Sequence, residues 1–448
     1  MNVLTTTRTA ITLLLLAVGR IHAQAQSPSQ APVGSVRLTL DDALARGVAS
    51  SRRLEEATAR HEASAAVVGQ RHAASRPQVS AQAGYARTNH VDEFGILMPN
   101  NQLRVIYPDV PDNYRTRLDL AWPLYTGGRL ESFERAAERE SAATADDAEA
   151  LKADIRLEVA RAFWALVVAD ESQRVINESL ARTSAHLRNA SNALDAGLVP
   201  PNEVLTAQAQ ESRQRMLSIQ ARSARDVAEA DLARLVGAAP GAAIQPEANL
   251  LVPVTTGDAA TLVAKAVEQR RDRRAIVDRL SAVGLRGEAA AGARRPSVAV
   301  AGGVDYARPN PRIFPREEAW KPSWDAGVNL NWLLFDGGRA KAEAAEAAAG
   351  KRALEARLAE FDAVVAVEIR QRLSEIEASR AAITAAEDGV RAATEALRVV
   401  NDRFAAGVAI STDVLDAQVM VLQASLDRTQ AMVTERLAGA RLRRALGE

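Results

Sequence analysis

The sequence predicts a mainly α-helical chain that carries a membrane β-barrel. Long coiled-coil helical hairpins are joined to four transmembrane strands per chain, too few to close a barrel without further copies. Three observations lead to this class. The octapeptide "WPLYTGGR", Trp122 to Arg129, returns as "WLLFDGGR", Trp332 to Arg339, displaced by 210 positions. Each copy ends a stretch in which apolar and polar residues alternate, the period-2 signature of a strand. Each copy also opens a proline-free stretch that can run as one uninterrupted helix.

The repeat sets the organisation of the chain. At the same offset of 210, Glu158-Val159 matches Glu368-Ile369, and "ALDAGLVPPNEVLTAQ", Ala193 to Gln208, matches "RFAAGVAISTDVLDAQ", Arg403 to Gln418, without a gap. Upstream, "TLDDALARGVASSRRLEEA" near Thr39 resembles "TLVAKAVEQRRDRRAIVDR" near Thr261, and "RPQVSAQAGY" at Arg76 resembles "RPSVAVAGGVDY" at Arg295. The division that follows is a signal peptide (1–25), a first structural repeat (26–236), a proline-punctuated linker (237–258) and a second structural repeat (259–448). Each repeat reads as a helix, two strands joined by a long polar loop, a very long helix, a tight turn and a second long helix.

The first 26 residues combine Arg8, an apolar run from Ala10 to Val18, and small residues at Ala23 and Ala25. That is the pattern of a secretory signal cleaved after Ala23 or Ala25. The apolar run falls far short of the ~20 residues a membrane-spanning helix needs. The formal net charge of +0 gives no basic footprint for nucleic acid. A chain without cysteine has no disulfide, thiolate metal site, cysteine nucleophile or lipid attachment point behind the signal.

In the first repeat, Leu118, Leu120, Trp122 and Leu124 share one strand face while Arg117, Asp119 and Ala121 share the other. The second repeat sets Val328, Leu330, Trp332 and Leu334 against Gly327, Asn329 and Asn331. The preceding strands follow the same rule, with Val79, Ala81, Ala83 and Tyr85 in one repeat and Val298, Val300, Val304 and Tyr306 in the other. In a soluble protein such a face covers a core; in an outer-membrane barrel it meets lipid while the polar face lines water. No amphipathic helix is placed to pair locally with these strands. Trp122, Tyr125, Trp332 and Phe335 sit where each second strand ends, as membrane-interface aromatics would. A membrane sheet must close, and barrels need at least ~8 strands, so four per chain imply a dimer with eight or a trimer with twelve.

Hydrophobic residues make up 47% of the chain but aromatics only 4%, so alanine supplies much of the apolar content and favours long, closely packed helices. From Gly338 to Phe404 a helix rising 1.5 Å per residue would be roughly 100 Å long. Ile376, Ile383, Val390, Leu397 and Phe404 recur every seven residues, with Ser379, Ala386, Ala393 and Val400 three places on. Leu180, Leu187 and Leu194 keep that spacing in the first repeat, a coiled-coil seam. A periplasmic coiled-coil scaffold or spacer without channel activity is the alternative, but it leaves the strands and the export signal unconnected.

With the strand ends "LAWPLYTGGR" and "LNWLLFDGGR", the opening "LTLDDALARG" and the turns "AGLVPPNEVLTAQ" and "AGVAISTDVLDAQ" in this order, the chain resembles the TolC-like outer-membrane efflux proteins, or outer membrane factors, over about Leu38 to Gly447. The resemblance implies a homotrimer with a 12-stranded barrel in the outer-membrane lipid of a Gram-negative bacterium and a periplasmic α-helical tunnel. It further implies a passive exit channel of a tripartite efflux or type I secretion system, working with a periplasmic adaptor (membrane fusion) protein and an inner-membrane transporter, without a cofactor.

Asp413 and Asp416 share a face of the first turn of a helix, after Ser411 or Thr412 as N-cap, where the helix dipole favours acids in any case. The resemblance implies a second role, as rings of carboxylates that constrict the tunnel at its periplasmic tip, with Glu203 in the corresponding place of the first repeat. The family pattern locks that tip with an arginine and a tyrosine. Here Ala409 stands where the arginine would fall, and Phe404 carries no hydroxyl. Gly197, Leu198, Pro200 and Pro201, with Gly407, Val408 and Ser411, form the two helical turns, which the resemblance makes the adaptor-docking tip. Enzyme chemistry finds no support: His22, His61, His72, His90 and His186 are scattered, and no zinc-protease spacing, nucleophile elbow or phosphate loop is present. No metal site is expected, and "RRDRR", Arg270 to Arg274, reads as a solvated helical face.

Overall fold

A computed structural model describes residues 36–239, 241–250 and 254–448; the expected signal peptide lies outside the described residues. The first repeat contains β1 (Val36–Thr39), α1 (Leu40–Ala49), α2 (Arg52–Ala73), β2 (Gln78–Arg87), β3 (Phe94–Leu97), β4 (Leu103–Tyr107), β5 (Asp112–Tyr125), α3 (Arg129–Asp195) and α4 (Pro201–Leu235). After β6 (Ile244–Glu247), the second contains α5 (Ala259–Gln269), α6 (Arg271–Gly292), β7 (Ser297–Arg308), β8 (Lys321–Asn331), α7 (Arg339–Ala405) and α8 (Ser411–Leu446). The helix starts follow capping chemistry. Thr39 accepts from the Asp42 N–H at 3.2 Å, Ser51 from Leu54 at 3.3 Å and Asp258 from Thr261 at 3.1 Å, each satisfying a donor the helix cannot.

α3 and α7 each run for 67 residues without a break, roughly 100 Å at 1.5 Å per residue. α3 packs against α2, α4, α6 and α8, and α7 against α6 and α8. The repeat is visible in the core: Ile155, Val159 and Leu166 of α3 are buried, and so are Val365, Ile369 and Ile376, their equivalents on α7. Around the first set gather Phe163, Leu232, Ile244 and Val433, and around the second Ala266, Ala438 and Leu442.

β2, β5, β7 and β8 form one antiparallel sheet in that order, as the two strands expected from each repeat require. One row crosses it as Ala81, Leu118, Val304 and Trp324. β2 and β8 are its edges.

Away from the helical turns, the structure corrects the sequence reading in five places. The 237–258 segment is more than a connection, because β6 within it pairs in parallel with β1, Val36 opposite Ile244. The loop of the first repeat holds its own hairpin, β3 with β4. Trp332 and Leu334 do not continue the strand, since β8 ends at Asn331 opposite Ser297, where β7 begins and the pairing partner runs out. On α3 the leucines Leu180, Leu187 and Leu194 are only half-buried. Its deepest positions are Ile176, Ser179, Thr183, His186 and Ala190, because α8 offers this face polar partners.

"RRDRR" is the fifth. Arg270 sits at the break between α5 and α6 with its side chain 7% exposed, bonded to Asp272 and Glu368 at 2.7 Å and lying 4.9 Å over the Phe361 ring. Arg271 pairs with Asp146 at 3.1 Å and Arg273 with Asp362 at 2.7 Å. Burial alone would raise the Asp272 pKa, but the Arg270 guanidinium, with Arg444 beyond it, outweighs burial and holds the carboxyl below its usual range. These arginines fasten the short helices to the long ones. The repeat-matched glutamates have the same use, since Glu158 holds Arg53 at 2.7 Å as Glu368 holds Arg270.

Candidate functional site

The sheet has two unlike faces because strand residues alternate. One carries Val79, Ala81, Leu118, Leu120, Trp122, Val304, Trp324, Val328 and Leu330, and among these Trp324 is 75% exposed and Val328 and Leu330 68% each. Among the described residues no helix or loop covers this apolar surface, which far exceeds scattered surface apolar residues. Aromatics mark its two ends. At one end stand Trp122 and Tyr125 on β5, and Trp332 and Phe335 just past β8. At the other, Tyr114 lies 5.0 Å from Tyr85 and 6.0 Å from Trp320, which stacks on Tyr306 at 5.0 Å. Sequence reasoning missed this second cluster, although the strand alternation already set Tyr85 and Tyr306 on the apolar face. Eight residues separate Trp122 from Tyr114 on β5. At ~3.4 Å per residue and a ~40° tilt they span roughly 20 Å, close to the ~25 Å apolar band of an outer-membrane barrel.

The opposite face is charged. Arg117 bonds Asp119 at 2.6 Å, Asp305 on the neighbouring strand, and Asp325 two strands away at 3.0 Å, while Arg115 reaches Asp305 at 2.6 Å. The crossing is possible because Gly303 lies between: a Cβ there would stand 2.7 Å from the Arg117 guanidinium.

The sheet passes into the long helices through two equivalent joints. Gly127 and Gly128 have φ of +67° and +83°, and Gly337 and Gly338 +68° and +91°, a left-handed turn that L side chains resist. At the first joint Thr126 accepts from the Leu130 N–H at 3.3 Å; at the second Asp336 accepts from Gly338 and Ala340 at 2.9 and 2.8 Å. The surroundings differ. A Cβ on Gly127 would meet the Gly292 carbonyl at 2.6 Å and Arg295 at 2.7 Å, whereas Gly337 and Gly338 have nothing within 4 Å.

At the far ends of the long helices stand two matching turns. After α3 the Gly197 N–H donates to Leu194 and the Leu198 N–H to Ala193, each at 2.8 Å; after α7 the Gly407 N–H donates to Phe404 at 3.0 Å and Val408 to Arg403 at 2.9 Å. These are Schellman ends with glycine in the left-handed region. Pro200 flanks and Pro201 opens α4, where a missing N–H costs nothing. Leu198, Val408 and Ile410 project into solvent.

Ser411 is not the N-cap. It is the first residue of α8, fully buried, with its hydroxyl bonded to His186 of α3. The cap is Ile410, whose N–H donates to the Asp413 carboxylate at 3.2 Å while the Asp413 N–H donates to the Ile410 carbonyl at 3.1 Å. Asp413 and Asp416 are exposed and Glu203 half-buried. Behind the turns, Thr183 donates to Gln418 at 3.1 Å and the His186 ring lies 5.4 Å from Phe404. Burial lowers the His186 pKa, with the Glu203 carboxylate opposing it. Hydrophobic periodicity passed over this polar seam because Thr183, His186, Ser411 and Gln418 are all polar.

Among the described residues no helix is long and apolar enough to cross a membrane. Comparison with solved structures finds the same fold in outer-membrane channels. The outer-membrane channel OprN superposes with a TM-score of 0.74 at 21% identity over 91% of this chain and 89% of its own. CusC, described as a transmembrane channel, gives 0.77 at 16% identity over 91% of each chain. The Campylobacter jejuni CmeC outer membrane channel gives 0.75 at 17% identity, over 91% of this chain and 85% of its own. No curated protein sequence matches the chain significantly. The model of the outer membrane efflux protein family matches residues 43–238 and 262–448, and the chain therefore belongs to that family.

Proposed function

We propose that three copies of this outer-membrane efflux protein close head to tail into one barrel and one helical tunnel. The assembly is a passive exit duct, fed by a periplasmic adaptor and an inner-membrane transporter. One observation carries the reading: among the described residues, a contact made once inside the chain lacks its repeat-related counterpart. The repeat equates β2 with β7, β5 with β8, α2 with α6 and α3 with α7. The chain contains the β5–β7 pairing and the α3–α6 packing. Their counterparts, β8 with β2 and α7 with α2, join the two opposite edges of the protomer. A neighbouring copy supplies both, and a heterologous interface of this kind generates a ring when the rotation closes. The open joint at Gly337 agrees, since Gly292 at the end of α6 and Arg295 just after it fill the equivalent space at Gly127. So does α2, which has no buried residue.

Closure satisfies the edge strands, which a bilayer requires. Four strands per copy give twelve in a trimer, the apolar face and its two aromatic clusters then face lipid, and the Arg117 face lines water. The two turns per copy are the docking surface for the adaptor, with Leu198 and Val408 as exposed contacts and Pro200, Pro201, Gly197, Gly407 and Ser411 shaping the turns. Asp413 and Asp416 from three copies place carboxylates around the tip, with Glu203 behind them, favouring cations in the passage.

Cross-linking tests the assembly. The Leu120–Gly302 pair of the β5–β7 seam translates through the repeat to Leu330 and Ala83. In this cysteine-free chain the double variant Ala83→Cys, Leu330→Cys should oxidise to covalent trimers in outer-membrane fractions. Monomers only, or recovery of the protein in a detergent-free periplasmic fraction, would sink the proposal.

A further inference from the structure

The first part of the β7–β8 loop turns back onto the charged face of the sheet, while Arg316 further on ties the loop to the β3–β4 hairpin through the Ile106 carbonyl and the Tyr107 hydroxyl. Asn310 is 2% exposed and donates to the Lys321 carbonyl at 2.9 Å and to Ser323 at 3.0 Å. Further along, Arg312 donates to the Trp324 carbonyl at 3.0 Å and pairs with Asp325 at 2.9 Å. Asp325 is four residues into β8 and shares its face with Arg117, Asp119 and Asp305. Through the Arg312 side chain the loop reaches Asp325 on the polar side, where Arg117 joins Asp325 to Asp305, itself 3% exposed.

We propose that this loop, pinned by Arg312 to Asp325, is a constriction inside the outer mouth of the barrel that limits the size of what leaves. The inference rests on the channel reading, which makes the charged face the lumen. Twelve strands ~4.8 Å apart and tilted ~40° enclose a cylinder of roughly 24 Å diameter. A layer of chain packed on a sheet stands roughly 10 Å from it, against a radius of about 12 Å, so three such loops come close to meeting on the axis. Arg312 is the residue to test because it joins the network from the loop side alone. Its removal leaves the Arg117 bonds to Asp119, Asp305 and Asp325 in place.

The full-length protein on intact cells provides the test. Asn329 is exposed on the same face deeper in the sheet, so Asn329→Cys puts the single thiol of the chain below the loop. Polyethylene glycol maleimides of graded size are applied from outside. In the Asn329→Cys protein the small polymers should label and the large ones should not. Adding Arg312→Gln should shift the cutoff upward, taking labelling by the excluded polymers from background to near completion. The combination Arg312→Cys with Asp325→Cys, oxidised before a reductant-insensitive label at position 329 is scored, should hold the cutoff at or below the original size. An unchanged cutoff in Arg312→Gln overturns the constriction while leaving the channel intact. If no polymer of any size reaches position 329, the channel reading falls and the constriction with it.

Discussion

His186, deep in α3, shares a hydrogen bond with Ser411, the first residue of α8, so the start of one helical hairpin is locked to the wall of the other. Both side chains are buried, and neither has an alternative partner in water. Ser411→Ala leaves the imidazole nitrogen unsatisfied, a cost of about 1–3 kcal/mol. Hydrogen exchange across 180–190 and 411–420 should accelerate accordingly, while exchange in the α3 segment around Val159 stays unchanged. Equal protection in both proteins would show that the bond does not hold the tip.

The same contact depends on pH. Burial depresses the His186 pKa below its ordinary value of 6.5, with Glu203 as the opposing charge. The opened form therefore binds protons that the packed form refuses. Stability of the contact is complete above about pH 6.5 and declines as pH falls below it toward the depressed value. Protection of the tip should drop between about pH 7.5 and 5.5, and His186→Gln, which cannot titrate, should flatten that dependence. An identical drop in the variant would assign it to other groups.

The proposed pore role of Asp413 has to be separated from its capping role, because its carboxylate receives the Ile410 N–H. Asp413→Asn keeps an acceptor for the cap and removes the charge, whereas Asp416→Asn removes charge from a residue outside the cap. In planar bilayers both single variants should weaken divalent-cation block, and replacing both aspartates with alanine should raise single-channel conductance or weaken block further. If conductance and block are unchanged, the two residues serve the helix start alone.

The fold was readable because its main signals are repeated and apolar. Trp122 and Trp332 stand at one offset, Val159 and Ile369 are equivalent and both buried, and Gly127 and Gly337 turn the chain in the same way. The missed features carry no apolar period. β6 reads "IQPE" and gains its identity only from β1 across the chain. Arg270 looks like one of several surface arginines until α5 and α6 break around it. His186, Thr183, Ser411 and Gln418 form a seam from polar residues 225 or 235 positions apart, and the Arg117–Asp325 link spans 208. Distance in sequence, combined with polar chemistry, hid them.

Gly303 is where the charged face is most sensitive to a single atom. Gly303→Ala puts a Cβ 2.7 Å from both the Arg117 guanidinium and the Leu118 carbonyl, so the arginine must withdraw from Asp325 or the strands must part. Overpacking of this kind costs about 1–3 kcal/mol. The temperature at which the folded protein loses its compact mobility on a gel should fall. Arg117→Lys should lower it too, since a point charge cannot serve three carboxylates at once. A wild-type melting temperature in Gly303→Ala would show that the guanidinium is not held over the glycine.

The two joints offer a comparison within one chain. Ala at Gly127 and Ala at Gly337 both force an L residue into the left-handed region, at about 1–2 kcal/mol each. At Gly127 the new Cβ also meets Gly292 and Arg295 of its own chain; at Gly337 it meets nothing until a partner arrives. If α2 of a neighbouring copy fills that space as α6 fills the first, Gly337→Ala burdens assembly specifically. Its trimers should dissociate at lower detergent concentration than wild type, while the released protomers keep wild-type helix content. Gly127→Ala should instead reduce the folded yield of the protomer itself. If Gly337→Ala dissociates no more readily than wild type, the open joint is not an interface, and the head-to-tail ring loses one of the observations that support it.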